Sequence, residues 1–182
     1  ARCNQRYLPG LAFAPALHGV GAVPIPHAPR PARLIAGYRA ALDDAARDRP
    51  IAVAGVSLGA AVAAAWAIAH PGRTVAVLAA LPAWTGAPDG AAAALAATYT
   101  AGELRRDGLV ATTARMRESS PQWLADELTR SWLGQWPDLP EAMTEAAAFV
   151  APTTVQLAGM TTPMGVAAAS DDPVHPLEVG VE

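Results

Sequence analysis

Lysine is absent: all 13 basic residues of this 182-residue chain are arginines. That excludes a Walker-type phosphate loop, a Schiff-base lysine and a lysine general base. Cysteine occurs once, at Cys3, which rules out an intrachain disulfide and a thiolate metal cluster. Charge is scarce, at 16% of residues with a net −3, so there is no basic field for nucleic acid or an anionic membrane. Scarce charge with a mean hydropathy of +0.22 also argues against disorder. Long apolar runs are missing: Ile51–Val56 is far too short to cross a bilayer, and Gly and Pro interrupt the helical stretches. The first ten residues carry Arg2, Asn4, Gln5 and Arg6 but no apolar core, so no signal peptide is read and a cytoplasmic location is expected. The four histidines are scattered without ligand spacing, which leaves a metal site unsupported, and no cofactor is expected.

What the chain has in excess is alanine, roughly a quarter of all residues against a far lower average usage. With Arg, Gly and Pro also favoured, this reads as the codon bias of a GC-rich bacterial genome. The length suits one domain, or one domain with a small insertion.

Leu11–Leu17 reads as a strand closed by the turn His18-Gly19-Val20-Gly21, with a proline-rich loop at Pro24–Pro31. From Ala32 to Arg47, Leu34, Ile35, Tyr38, Ala41 and Leu42 recur at helical spacing. Ile51–Val56 follows Pro50 and, polar nowhere, reads as a strand buried on both faces. Leu58–His70 reads as a buried helix stopped by Pro71-Gly72, and Thr74–Leu81 as another strand. This alternation predicts parallel strands with helical crossovers. Gly86 to Phe149 is helical in pattern throughout, and a last strand, Pro163–Ala169, precedes the turn Ser170-Asp171-Asp172-Pro173. The predicted fold class is therefore α/β, a partial, mainly parallel doubly wound sheet with an all-helical insertion. Residues 1–85 form the core, 86–152 the insertion, and 153–182 the return to the core. Trp123, Trp132 and Trp136 are expected to pack, Met160 and Met164 to fill core, and Asp43-Asp44 and Arg105-Arg106 to be solvated.

Gly55-Val56-Ser57-Leu58-Gly59 matches G-x-S-x-G in the context that gives the string meaning, a strand before and a helix after. The chemistry needs a serine at the tip of a tight, strained strand-to-helix turn. Side chains two residues to either side would collide there, so Gly55 and Gly59 are both expected to be required. The helix opening at Leu58 aims its free N–H groups at the serine, with the Leu58 N–H as an oxyanion donor.

With these residues the chain resembles the α/β-hydrolase superfamily over nearly its whole length. His18-Gly19-Val20-Gly21-Ala22-Val23-Pro24 is similar to that family's R-G-x-G-x-S-P loop, with His18 in place of the common Arg. Ala69-His70-Pro71-Gly72-Arg73-Thr74-Val75 is similar to its H-P-x-R-V link after the elbow helix. Asp171-Asp172-Pro173-Val174-His175-Pro176 resembles its acid-bearing D-x-x-x-P turn. Pro176, four residues on, favours Asp172 over Asp171 as the acid. The resemblance implies a serine hydrolase with Ser57 as nucleophile and the helical insertion as a cap. Its substrate would be a small apolar ester, thioester, lactone or C–C bond compound. The implied partner is that small molecule, with no nucleic acid and no membrane, and the oligomeric state stays open. Trp84 would line the substrate pocket or pack beneath the cap.

The resemblance also implies a histidine base on a loop after one further strand. Only Pro173 to Glu182 follow Asp172, and they offer no such strand. His175 reads as too close to Asp172, in the same turn, to reach both Asp172 and Ser57. His70 reads as a helix C-cap, and His27 sits in the proline-rich loop without an evident partner. The expectation is a fragment or decayed copy of a longer hydrolase, its catalytic histidine outside this chain. Two alternatives remain: a truncated, non-catalytic hydrolase-like binding protein, and a cofactor-free haloperoxidase.

Overall fold

The computed structural model describes residues 21–23 and 34–181. The features expected at Leu11–Leu17, His18, Pro24–Pro31 and His27, and Cys3 itself, lie outside them. The first described helix, α1 (Leu34–Ala45), buries Leu34, Ile35 and Leu42, the stripe its spacing predicts. Pro50 then admits β1 (Ile51–Val56), where Ile51, Val53 and Val56 favour extended backbone. After β1 comes α2 (Leu58–Ala69), whose burial of Ala60, Val62, Ala63, Ala64, Trp66 and Ala67 suits a helix apolar on nearly every side. A 3₁₀ turn at Pro71–Arg73 ends the connection, and β2 (Thr74–Ala80) follows.

β1 and β2 pair in parallel, Val53 opposite Val77 and Val56 opposite Ala80. The last strand, β3 (Met164–Ala167), adds to β2 in parallel with Val77 opposite Met164. The sheet order is β1-β2-β3, an α/β arrangement in which each strand returns by a helical crossover, as parallel pairing demands. β3 is shorter at both ends than the strand expected at Pro163–Ala169.

One expectation for β1 is overturned. Its two faces differ: Val53 is buried with Val77 and Ala79 against α2, while Val56 is 43% and Leu78 52% exposed on the opposite face. The cause is layering. α2 covers the Val53 face, and among the described residues the other face is left partly open.

The segment between β2 and β3 is helical: α3 (Ala92–Ser119), α4 (Gln122–Gln135) and α5 (Leu139–Ala147). α3 is broken at Gly108, where φ is 79°, a conformation that favours glycine. Arg115, after the break, pairs back across it with Glu103 and Asp107, both before it. This segment has a core of its own, built from Leu104, Trp132 and Leu139. Of the three tryptophans expected to pack, only Trp132 does; Trp123 is 54% and Trp136 43% exposed. α4 buries the face carrying Ala125 and Trp132, two turns apart; Trp123 stands off that face and Trp136 past the helix end.

Glu145 of α5 ties this segment to the sheet layer. Its two carboxylate oxygens accept the N–H groups of Leu34 (2.9 Å) and Ile35 (3.0 Å), the start of α1. A carboxylate at a helix N-terminus satisfies orphan donors and complements the helix dipole. Asp43 is not the plain solvated charge expected of it. It accepts from the Trp66 indole at 3.1 Å and from Arg73 at 2.9 Å, joining α1 to α2 and the turn before β2. The Trp66 bond first, and the Arg73 bond and charge with it, outweigh desolvation and hold its carboxyl below the usual range. Arg105 and Arg106 are likewise paired, with Glu141 and Asp107. Met160 and Met164 pack against the core formed by Leu42, Val53, Trp66 and Val77. After α5 come α6 (Thr154–Ala158), opened by a Thr153–Gln156 capping box, and, beyond β3, α7 (Leu177–Val181).

Candidate active site

Ser57 sits between β1 and α2 at φ 55°, ψ −120°, a backbone geometry that costs a non-glycine residue energy. Its N–H still donates to the Ala80 carbonyl at 2.9 Å, so the strand ladder runs up to the serine. Its carbonyl accepts from Ala60 (3.0 Å) and Ala61 (3.3 Å), so the helix starts at once. Sheet and helix together impose the strain on one residue. The Leu58 N–H, second in this turn, has no hydrogen-bond acceptor among the described residues.

The glycines flanking Ser57 are not equivalent. A Cβ on Gly55 would lie 2.1 Å from the Gly59 carbonyl carbon and oxygen and 2.5 Å from the Ala60 nitrogen. A Cβ on Gly59 would meet nothing within 4 Å. The first turn of α2 folds directly over Gly55, so the steric demand falls there and not on Gly59, contrary to the symmetrical expectation.

Asp172 and His175 lie in the turn between β3 and α7. Asp172 Oδ1 accepts the backbone N–H groups of Val174 (2.9 Å) and His175 (3.1 Å), which bends the chain back on the carboxylate. Asp172 Oδ2 then stands 2.9 Å from His175 Nδ1, and His175 Nε2 stands 2.9 Å from Ser57 Oγ. Sequence spacing argues against this contact. His175 reaches both partners because the turn closed on Asp172 Oδ1 leaves its two ring nitrogens facing Asp172 Oδ2 and Ser57 Oγ. Asp171 takes no part in this chain of bonds. His70 is the helix cap expected of it, its Nδ1 2.9 Å from the Trp66 carbonyl.

Desolvation alone would raise the Asp172 carboxyl. The bonds from the His175 ring and from the Val174 and His175 N–H groups outweigh it and hold the acid below the usual carboxylate range. Asp172 is therefore ionised at neutral pH and can only accept. That fixes the tautomer: Nδ1 carries the proton and donates to Asp172, leaving Nε2 to accept from the Ser57 hydroxyl. The side chains of His175 and Asp172 are 17% and 27% exposed, so the pair is shielded without being sealed.

An apolar cavity of about 270 Å³ opens between α2, the sheet, α6 and α7. Ala60, Ala61 and Ala64 of α2 form one wall, Leu157 and Val166 others. Trp84 lines it too, but as a core residue: it is 8% exposed and its indole N–H donates to the Phe149 carbonyl at 3.1 Å. Ser57, Asp172 and His175 are not part of the cavity wall. Among the described residues, no group of three or more His, Cys, Asp or Glu side chains could hold a metal ion, and no helix is long and apolar enough to cross a membrane.

No family model and no curated protein matches the chain. A solved structure does: a thermophilic esterase from Thermogutta terrifontis, with malate bound, at a TM-score of 0.60 and 18% identity. The match covers 88% of this chain and 60% of that one, so the chain spans less than two thirds of its structural neighbour. The likeness shows a shared, hydrolase-like fold.

Proposed function

We propose that this chain belongs to the α/β-hydrolase superfamily as a serine hydrolase acting on a small, apolar ester, thioester or lactone. One observation carries the reading: an unbroken path of 2.9 Å contacts from Asp172 through His175 to Ser57, on a strained turn at the N-terminus of α2. In the reaction, Ser57 Oγ attacks the acyl carbonyl as its proton passes to His175 Nε2. Asp172, anionic and bonded to Nδ1, stabilises the imidazolium. The Leu58 N–H and the positive end of α2 stabilise the oxyanion. His175 then returns the proton to the leaving group, and the acyl-enzyme forms. Water, deprotonated by the same imidazole, attacks the acyl carbon and releases the acid and free Ser57. Helices α3–α5, in residues 86–152, act as the cap over the site. The esterase fold of the structural neighbour supports the reading.

The test is hydrolysis of a series of short-chain chromogenic esters by the purified chain and by Ser57→Ala. Saturable turnover lost in Ser57→Ala supports it. A folded chain with no turnover above that variant refutes it and leaves a non-catalytic, hydrolase-like protein.

A further inference from the structure

Besides Ser57, one other described non-glycine residue has positive φ: Leu81, at 47°. Bulky L-residues rarely adopt this conformation, and Leu81 also precedes Pro82, whose ring restricts the residue before it. Its place in the sheet gives the strain a meaning. Val56 pairs with Ala80, and Ala80 with Ala167, so Ser57 and Leu81 stand at the same level on neighbouring strands, with the acid-bearing turn rising from the third. Adjacent strands lie about 4.8 Å apart, so a group from the end of β3 must cross about 10 Å to reach the end of β1. The turn after β3 and the His175 imidazole at its far side together make that crossing to Ser57, and with β2 the middle strand they span its end. The Leu81 N–H still donates to Ala167 at 2.7 Å, and the chain then turns inward to bury Ala83 and Trp84.

We propose that Leu81 is a positioning residue for His175: its left-handed backbone takes β2 off the sheet and so clears the gap across which the imidazole reaches Ser57. An extended residue 81 would carry β2 upward between the two. The inference rests on the reading of Ser57, His175 and Asp172 as the reacting groups.

The test compares variants by their tolerance of left-handed backbone. Leu81→Gly should keep kcat within about twofold and melt higher than the parent, because Gly takes this φ without strain. Leu81→Val, which disfavours it, should lower kcat about 10²-fold with KM little changed, the loss typical of a catalytic group displaced by about 1 Å. Should Leu81→Val fail to fold, Leu81→Asn and Leu81→Ala carry the comparison: Asn more active than Ala supports the proposal, and Ala equal or better overturns it. A folded Leu81→Val with unchanged kcat, or a Leu81→Gly as impaired as Leu81→Val, also overturns it. His175→Ala, assayed in parallel, separates the two claims. If it stays active, the reading of His175 as base has failed; if it is inactive while the Leu81 series is flat, only the positioning role has.

Discussion

The strain at Ser57 predicts that a glycine in its place relieves the fold while an alanine does not. At φ 55°, ψ −120° a side chain crowds its own backbone, and such residues cost about 1–3 kcal/mol each. Ser57→Ala keeps the Cβ and therefore the strain. Ser57→Gly removes the strain but adds freedom to the unfolded chain, an opposing effect of about 0.4–1 kcal/mol. Both variants lose the same hydrogen bond to His175 Nε2, and Ser57 makes no side-chain cap to α2 that either could forfeit. The difference between them isolates the backbone. Ser57→Gly should be more stable than Ser57→Ala by about 0.5–2 kcal/mol. At this chain length about 1 kcal/mol moves Tm by roughly 2–4 °C, which paired thermal melts resolve easily. Equal melting temperatures, or a more stable Ala variant, would show that the turn is relaxed and the strain argument wrong.

Three further outcomes follow from the same structure. Gly55→Ala drives a Cβ into the backbone of Gly59 and should abolish ester turnover and lower Tm; Gly59→Ala meets open space and should leave both unchanged to within about 0.5 kcal/mol, and circular-dichroism melts with turnover assays check the pair. Glu145→Ala strips the acceptors from the buried Leu34 and Ile35 N–H groups and should cost about 1–3 kcal/mol in urea unfolding, with Glu145→Gln recovering part of it. Because the folded Asp172 carboxyl lies below its ordinary value, its stabilising contribution is complete above about pH 4 and is lost as pH falls through the depressed value. Acid titration of Asp172→Asn against the parent should therefore show a stability gap that closes on acidification, and a gap that widens would contradict the sign.

How much of this could be read from the sequence depends on how local each feature is. The tight strand-to-helix turn at Ser57 was legible, because Gly55-Val56-Ser57-Leu58-Gly59 stands between a β-branched run and an alanine-rich helix, and local geometry does the rest. Of the two aspartates in that turn after β3, Asp172 is the one that bonds His175. His175 was not legible as a partner of Ser57. Its reach depends on the Asp172 turn and on β2 lying between the other two strands, and neither is visible in a spacing of three residues. The exposed face of β1 was hidden for a different reason. Ala52 and Ala54 are as apolar as Val53, so the composition carries no mark of which side faces out. Trp123 and Trp136 misled for another reason: offsets near helical spacing suggest one face, while Trp123 stands off the face that α4 buries and Trp136 lies past the helix end. Gly59 shows the limit of a motif read symmetrically, since the helix closes over one of its glycines only.

Whether His175, held by Asp172, activates Ser57 is decided by covalent labelling with a fluorophosphonate, followed by intact mass on the folded chain. The account predicts one adduct on the parent, none on Ser57→Ala, and labelling of His175→Ala slowed by about 10²–10⁴-fold, the contribution of a general base. A folded parent that takes no label, or a His175→Ala variant that labels as fast as the parent, would contradict it.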